Sequence, residues 1–206
     1  MKRLVIILLI INAFNINVNA YNKNVNYVPR LTFGAEWGWI GTLGSAYHYN
    51  FYSPEGYRLN ERGVSLKPTG NGEANVHIGY NINQYWNIAF YTGLTGLAQY
   101  HNAVPFSFRA TRYFGDDHLA DRWLAFADIG TGVSLKDRPQ EILSGKLGGG
   151  YRFSLSRDTK IDIIAALRLT HTHPQIISEN TPIEQKWINR NSLFLAAFSL
   201  GISITL

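Results

Sequence analysis

The sequence predicts an all-β chain: an eight-stranded antiparallel up-and-down transmembrane β-barrel with a polar lumen filled by side chains. Three observations predict it. Eight segments alternate apolar and polar residues with a period of two. Their apolar faces carry no charge except Arg112, at the tail of one segment, while the opposite faces collect Glu36, Glu73, Arg109, Asp128, Lys146, Arg152, Asp162 and Arg168. A soluble sandwich puts oil inside and charge outside, whereas a sheet in lipid does the reverse. No helical period of useful length supplies another layer to cover the oily face.

The N-terminus reads as a cleavable signal peptide over 1–20: Lys2 and Arg3, an apolar stretch from Leu4 to Ile11, and small residues at Val18-Asn19-Ala20. That stretch falls well short of the roughly 20 apolar residues a spanning helix needs. Residues 21–30 form a short N-terminal periplasmic segment, and 31–206 form the barrel. Removing Lys2 and Arg3 takes the formal charge from +5 to +3, because no acidic residue lies in 1–20. With no basic cluster, that excess points away from nucleic acid. Cysteine is absent, which excludes disulfides, thiolate sites and a lipid-anchored cysteine. Aromatics are plentiful, at 12 Tyr, 11 Phe and 5 Trp, and only 16% of residues are charged.

The first strand sets Leu31, Phe33, Ala35, Trp37 and Trp39 against Thr32, Gly34, Glu36 and Gly38. The second opposes Ala74, Val76, Ile78 and Tyr80 to Glu73, Asn75, His77 and Gly79, and the third runs from Trp86 to Leu94. The fourth carries Val104, Phe106, Phe108 and Ala110 opposite Ser107, Arg109 and Thr111. The fifth, sixth and seventh span 123–134, 143–153 and 161–170, with Asp128, Lys146, Arg152, Asp162 and Arg168 on the polar side. The eighth, 192–206, places Phe194, Ala196, Phe198, Leu200, Ile202, Ile204 and Leu206 on one face. Links at 83–85 and 156–159 are short, and 115–122 is moderate and charged. Those at about 43–72 and 171–191 are long, so they read as outer loops, with both termini in the periplasm. Tyr80, Tyr85, Trp86, Tyr113, Trp123, Tyr151 and Phe153 are expected near the periplasmic boundary, and Trp37, Trp39 and Tyr100 near the outer one.

On this strand pattern, the Gly-Tyr turn at 79–86 and the closing strand 192–206, the chain resembles the small eight-stranded outer-membrane proteins of Gram-negative bacteria. That group includes OmpX, the OmpA membrane domain and PagL. The resemblance covers roughly residues 31–206 and implies integral insertion in the outer membrane, contact with outer-membrane lipid and lipopolysaccharide, and recognition of strand 192–206 by the barrel-assembly machinery. The group's closing strand usually ends in Phe, and this one ends in Leu206.

Eight strands enclose a lumen just wide enough for side chains to fill. Unpaired charge there is costly, so Glu36, Asp128 and Asp162 are expected to face Arg109, Lys146 and Arg168, with the glycines of 130–132 and 148–150 making room for Arg109, Arg168 and Tyr91. A narrow ion path is the alternative. His171 and His173 share a strand face about 7 Å apart and form a rim site for metal or catalysis, against the plainer reading of polar rim residues. PagL-like deacylases use a His-x-Ser pair, in which His activates Ser for ester attack; here the second position is His173, so the nucleophile is missing. The tyrosine-rich segment 43–72 suits recognition of another surface component, or extends the strands beyond the bilayer. No catalytic, cofactor or metal motif appears. The expected function is a non-enzymatic outer-membrane barrel acting in binding or as an accessory subunit of a larger complex. The alternatives are a lipid A or phospholipid acyl-modifying enzyme and a small channel or carrier for apolar solutes.

Overall fold

The computed structural model describes residues 28–53, 55–97, 101–135, 141–178 and 181–206. The expected signal peptide and Tyr100 lie outside them. Eight strands form the barrel: β1 (Leu31–Tyr52), β3 (Thr69–Asn81), β4 (Trp86–Leu97), β5 (His101–Tyr113), β6 (Arg122–Ser134), β7 (Glu141–Ser154), β8 (Lys160–Thr172) and β11 (Ile188–Thr205). Each pairs antiparallel with its neighbour in the order β1-β3-β4-β5-β6-β7-β8-β11. The sheet closes where β11 returns to β1, from Gly34 opposite Thr205 up to Phe51 opposite Ile188. Closure leaves no unpaired edge in the wall, the condition lipid imposes on a spanning sheet.

The two faces divide as the alternation requires. Outside stand Leu31, Phe33, Trp37, Val76, Phe108, Ile129, Leu147, Ile163, Leu167 and Ile202, all exposed, with Trp37 at 77%. Inside, Glu36, Glu73, Arg109, Asp128, Asp162 and Arg168 are buried, Glu36 at only 2% exposure. At the end where β1 starts and β11 finishes, Trp123, Tyr151 and Phe153 meet edge to face with ring centres 5.0 Å apart. The Arg112 guanidinium leans over Trp86 and Phe114, so this charge on the wall lies among aromatics at the boundary. Tyr113 departs from the expected girdle. It points inward and is buried, because two guanidiniums at the mouth, Arg122 and Arg152, each lie 4.2 Å from its ring centre.

Segment 43–72 is mostly strand, the extension beyond the wall that the sequence offered beside a recognition loop. β1 runs ten residues past Thr42, and β2 (Arg58–Ser65) folds back along it from Tyr52–Arg58 to Ser45–Ser65. A turn closed by Ser53 and Tyr57 joins them, with Gly56 at φ +88, which a side chain would strain. A bulge at Leu43 lets β1 change partner from β3, which it leaves at Thr42, to β2. Segment 171–191 also gains structure: a short hairpin of β9 (Ile177–Ser178) and β10 (Thr181–Pro182), then a 3-10 turn at Gln185–Trp187.

Candidate functional site

Three groups of polar side chains stand out: the lumen, the rim at the far end, and the sheet beyond it. Cross-strand register sets the lumen network, with Arg109 opposite Asp128, Asp128 opposite Lys146, and Lys146 opposite Arg168. Arg109 donates to Asp128 at 3.2 Å and through Nη2 to Glu36 at 3.1 Å. Its guanidinium lies 4.1 Å from the Tyr91 ring centre and 4.4 Å from that of Phe126. A level further towards the far end, Glu73 accepts from Lys146 at 2.8 Å and from Arg168 at 3.3 Å, and Arg168 also donates to Thr95 at 2.9 Å. Asp162 takes both forks of Arg152 at 2.6 Å.

The pairing differs from the sequence expectation in two respects. Asp162 pairs with Arg152, its direct cross-strand neighbour, and Glu73 is the principal acid for Lys146 and Arg168. Glycine also makes room differently. A side chain at Gly148 would collide with the Phe126 ring, and one at Gly34 with the His77 imidazole, so these glycines admit rings rather than guanidiniums. Among the described residues the lumen holds a cavity of about 20 Å³ lined by His77, Tyr91, Arg109, Tyr113, Arg152 and Asp162, room for a water or two. Leu97, Ala103 and Ile142 form a buried apolar cluster on the far side of these ion pairs. The four central acids each have a basic partner, the arrangement that makes burying them tolerable without making them a large source of stability.

At the rim, His171 and His173 lie together, ring centres 4.7 Å apart, on the outward side. His171 stacks on Phe194 at 4.3 Å, and its Nε2 is 3.1 Å from Ser192 Oγ. The hydroxyl missing two residues along the same strand is thus supplied by β11. Sequence reading did not find Ser192, although Phe194 opposite His171 brings it within reach. Among the described residues no group of three or more His, Cys, Asp or Glu could hold a metal ion.

Beyond the rim, β2, the upper half of β1 and the start of β11 form a three-stranded sheet. One side continues the lumen face: Phe51, Tyr49, Leu59 and Ile188, covered by Ile176 and Ile183 of the β9–β10 segment. Burial, with Tyr47 beside it, pushes the Tyr49 hydroxyl above its ordinary value. The other side continues the outer wall and carries Tyr52, Asn50, His48, Arg58, Asn60, Arg62 and Arg190. There Arg58 donates to Asn50 at 2.9 Å, and His48 meets Asn60 at 3.1 Å.

The Pseudomonas aeruginosa outer membrane protein OprG superposes with a TM-score of 0.52 at 8% identity, covering 88% of this chain and 97% of that one. The chain has the fold of a small outer-membrane β-barrel. Outer membrane protein AlkL (TM-score 0.49, 11% identity, 93% and 97% covered) and Neisserial surface protein A (0.44, 13%, 81% and 95%) are also similar in structure. No family model matches the chain. No curated protein matches it either.

Proposed function

We propose that this chain is an integral outer-membrane barrel, with the far end facing out of the cell and both termini in the periplasm, that does not conduct and acts through its outer sheet as a surface-interaction or accessory protein. One observation carries the reading: an ion-paired lumen, with a buried apolar cluster at its far side, lies beneath a built, capped sheet that stands clear of the wall. Filling the lumen removes the path, and the ordered sheet offers the recognition surface. β2 ends the strand order and pairs on one side only, so its free backbone edge can accept a strand from a partner protein. Purification from native membranes in mild detergent is expected to return a stoichiometric surface or outer-membrane partner, and planar bilayers are expected to stay silent. Stepwise conductance would overturn the sealed-lumen reading, and a barrel that always elutes alone would overturn the partner.

A second reading rests on the His171–Ser192 contact, an imidazole on a hydroxyl at the edge of the lipid-facing wall. It would make the protein an acyl-ester hydrolase, His171 drawing the proton from Ser192 as that oxygen attacks. Mass spectrometry of lipid A and phospholipids decides it. An acyl loss present with the wild-type chain and absent with Ser192→Ala favours the enzyme, and unchanged lipid favours the interaction protein.

A further inference from the structure

The outward side of the outer sheet carries a charge pattern that neither the sealed lumen nor a strand partner at the β2 edge uses. Following that side away from the bilayer, Phe194, Ala46 and Val64 lie in one row, since Ala46 is opposite both of the others, and Val64 is 75% exposed. In the next row Ser192 and Arg62 flank His48, and in the one above Arg190 and Asn60 flank Asn50; Arg58 then faces Tyr52. Apolar wall thus gives way to Arg62, Arg190 and Arg58 within three rows. With strands about 4.8 Å apart and residues about 3.3 Å apart along each, the three guanidinium stems rise roughly 12–13 Å from one another around Asn50 and Asn60. All three arginines are exposed, and among the described residues none makes an ion pair. Among the described residues the nearby carboxylates are set apart: Glu61 shares the capped side with Tyr49, Glu55 sits in the hairpin turn, and Glu141, on the outward side, starts β7 with β8 between it and β11.

We propose that this face docks the phosphate of a membrane lipid in the leaflet at the far end, its acyl chains lying along the apolar wall beneath. The occupant follows from continuity and charge. A ligand that meets Phe194 and Val64 with hydrocarbon and Arg62 and Arg190 with anion, on a surface facing sideways rather than into bulk water, is an anionic lipid. Arginine suits the task because its planar fork grips phosphate oxygens in pairs. The amides of Asn50 and Asn60 lie between the arginines and can donate to the remaining oxygens. This inference rests on the membrane placement proposed above, not on the protein partner or the closed lumen.

The test uses the full chain folded in mild detergent and three probes: bisphosphorylated lipid A, the same lipid stripped of phosphate, and inorganic pyrophosphate. Bound lipid is read by native mass spectrometry. The triple variant Arg58→Gln, Arg62→Gln, Arg190→Gln is expected to bind bisphosphorylated lipid A about tenfold more weakly or worse. Arg157→Gln, on a turn at the opposite end, is expected to bind like wild type. Wild type should prefer the phosphorylated lipid by a similar factor, and should bind pyrophosphate far more weakly than either lipid. Equal binding by the triple variant would overturn the proposal, as would indifference of the wild type to lipid phosphate. Pyrophosphate bound as tightly as lipid would make the face a site for soluble anions and overturn it as well. Should the triple variant fail to fold, judged by loss of its heat-dependent gel shift, the comparison of the two lipids on wild type still decides. A partner protein recovered without lipid preference would leave the proposed function standing and remove this inference alone.

Discussion

The two halves of β1 are one continuous strand in two solvents. From Leu31 to Thr42 it is a barrel stave, with Phe33, Trp37 and Trp39 outside and Thr32, Glu36 and Ile40 within. From Gly44 to Tyr52 it leaves β3 for β2, and its outward residues become Ala46, His48, Asn50 and Tyr52. The inward side reverses too, from the ion-paired Glu36 to the apolar Phe51 beneath Ile176 and Ile183. Backbone conformation is the same in both halves. What differs is the chemistry of each face: apolar outside and ion-paired inside below the bulge, polar and basic outside and apolar under a folded cap inside above it.

Breaking the buried ionic side of the lower half should cost most. Among the described residues Glu36→Ala leaves Arg109 with Asp128 as its sole acidic partner, and a loss of about 3–5 kcal/mol is expected in urea unfolding of the micelle-folded barrel. Next comes the outer face. Ile163→Arg, on the exposed wall, should cost about 2–4 kcal/mol in lipid, whereas Asn60→Arg on the outer sheet should stay within about 0.5 kcal/mol. Equal costs at the two positions would dissolve the distinction between the halves. Phe51→Ala sharpens it differently. The cavity beneath Ile176 and Ile183 should loosen the cap alone, so limited proteolysis should cut near 173–187 while the barrel keeps its folded gel mobility. Global unfolding instead would mean that the cap and barrel are one cooperative unit. Smallest is Lys186→Ala, which removes an exposed pair with Glu184, each side chain 65% exposed; a change within about 0.5 kcal/mol is expected.

The same contrast explains what could be read in advance. All eight staves were legible because lipid on one side and a packed lumen on the other write a two-residue period into the chain. β2 was not, because Arg58, Asn60 and Arg62 point outward while Glu61 and Gly63 follow Leu59 on the other side, so neither side of Arg58–Ser65 is oily in alternation. The inward charges were legible as a set, but their partners only in part. Arg152 and Asp162 lie symmetrically about the tight turn at 156–159, a signal that register alone supplies. Glu73 meeting Lys146 and Arg168 is a contact across the lumen, which depends on the stagger of the closed barrel and leaves no local trace. The rim pair escaped for a related reason: the sequence shows His171 and His173 side by side, but Ser192 arrives from the next strand.

The reach of the lumen ion pairs bears on how such a chain gets into a membrane at all. Glu36 finds Arg109 across 73 residues, and Glu73 finds Arg168 across 95. An incomplete sheet, with some staves formed and others not yet docked, holds stranded carboxylates and guanidiniums that hydrocarbon punishes severely. An apolar medium can therefore accept these charges only once the seam between first and last staves is shut.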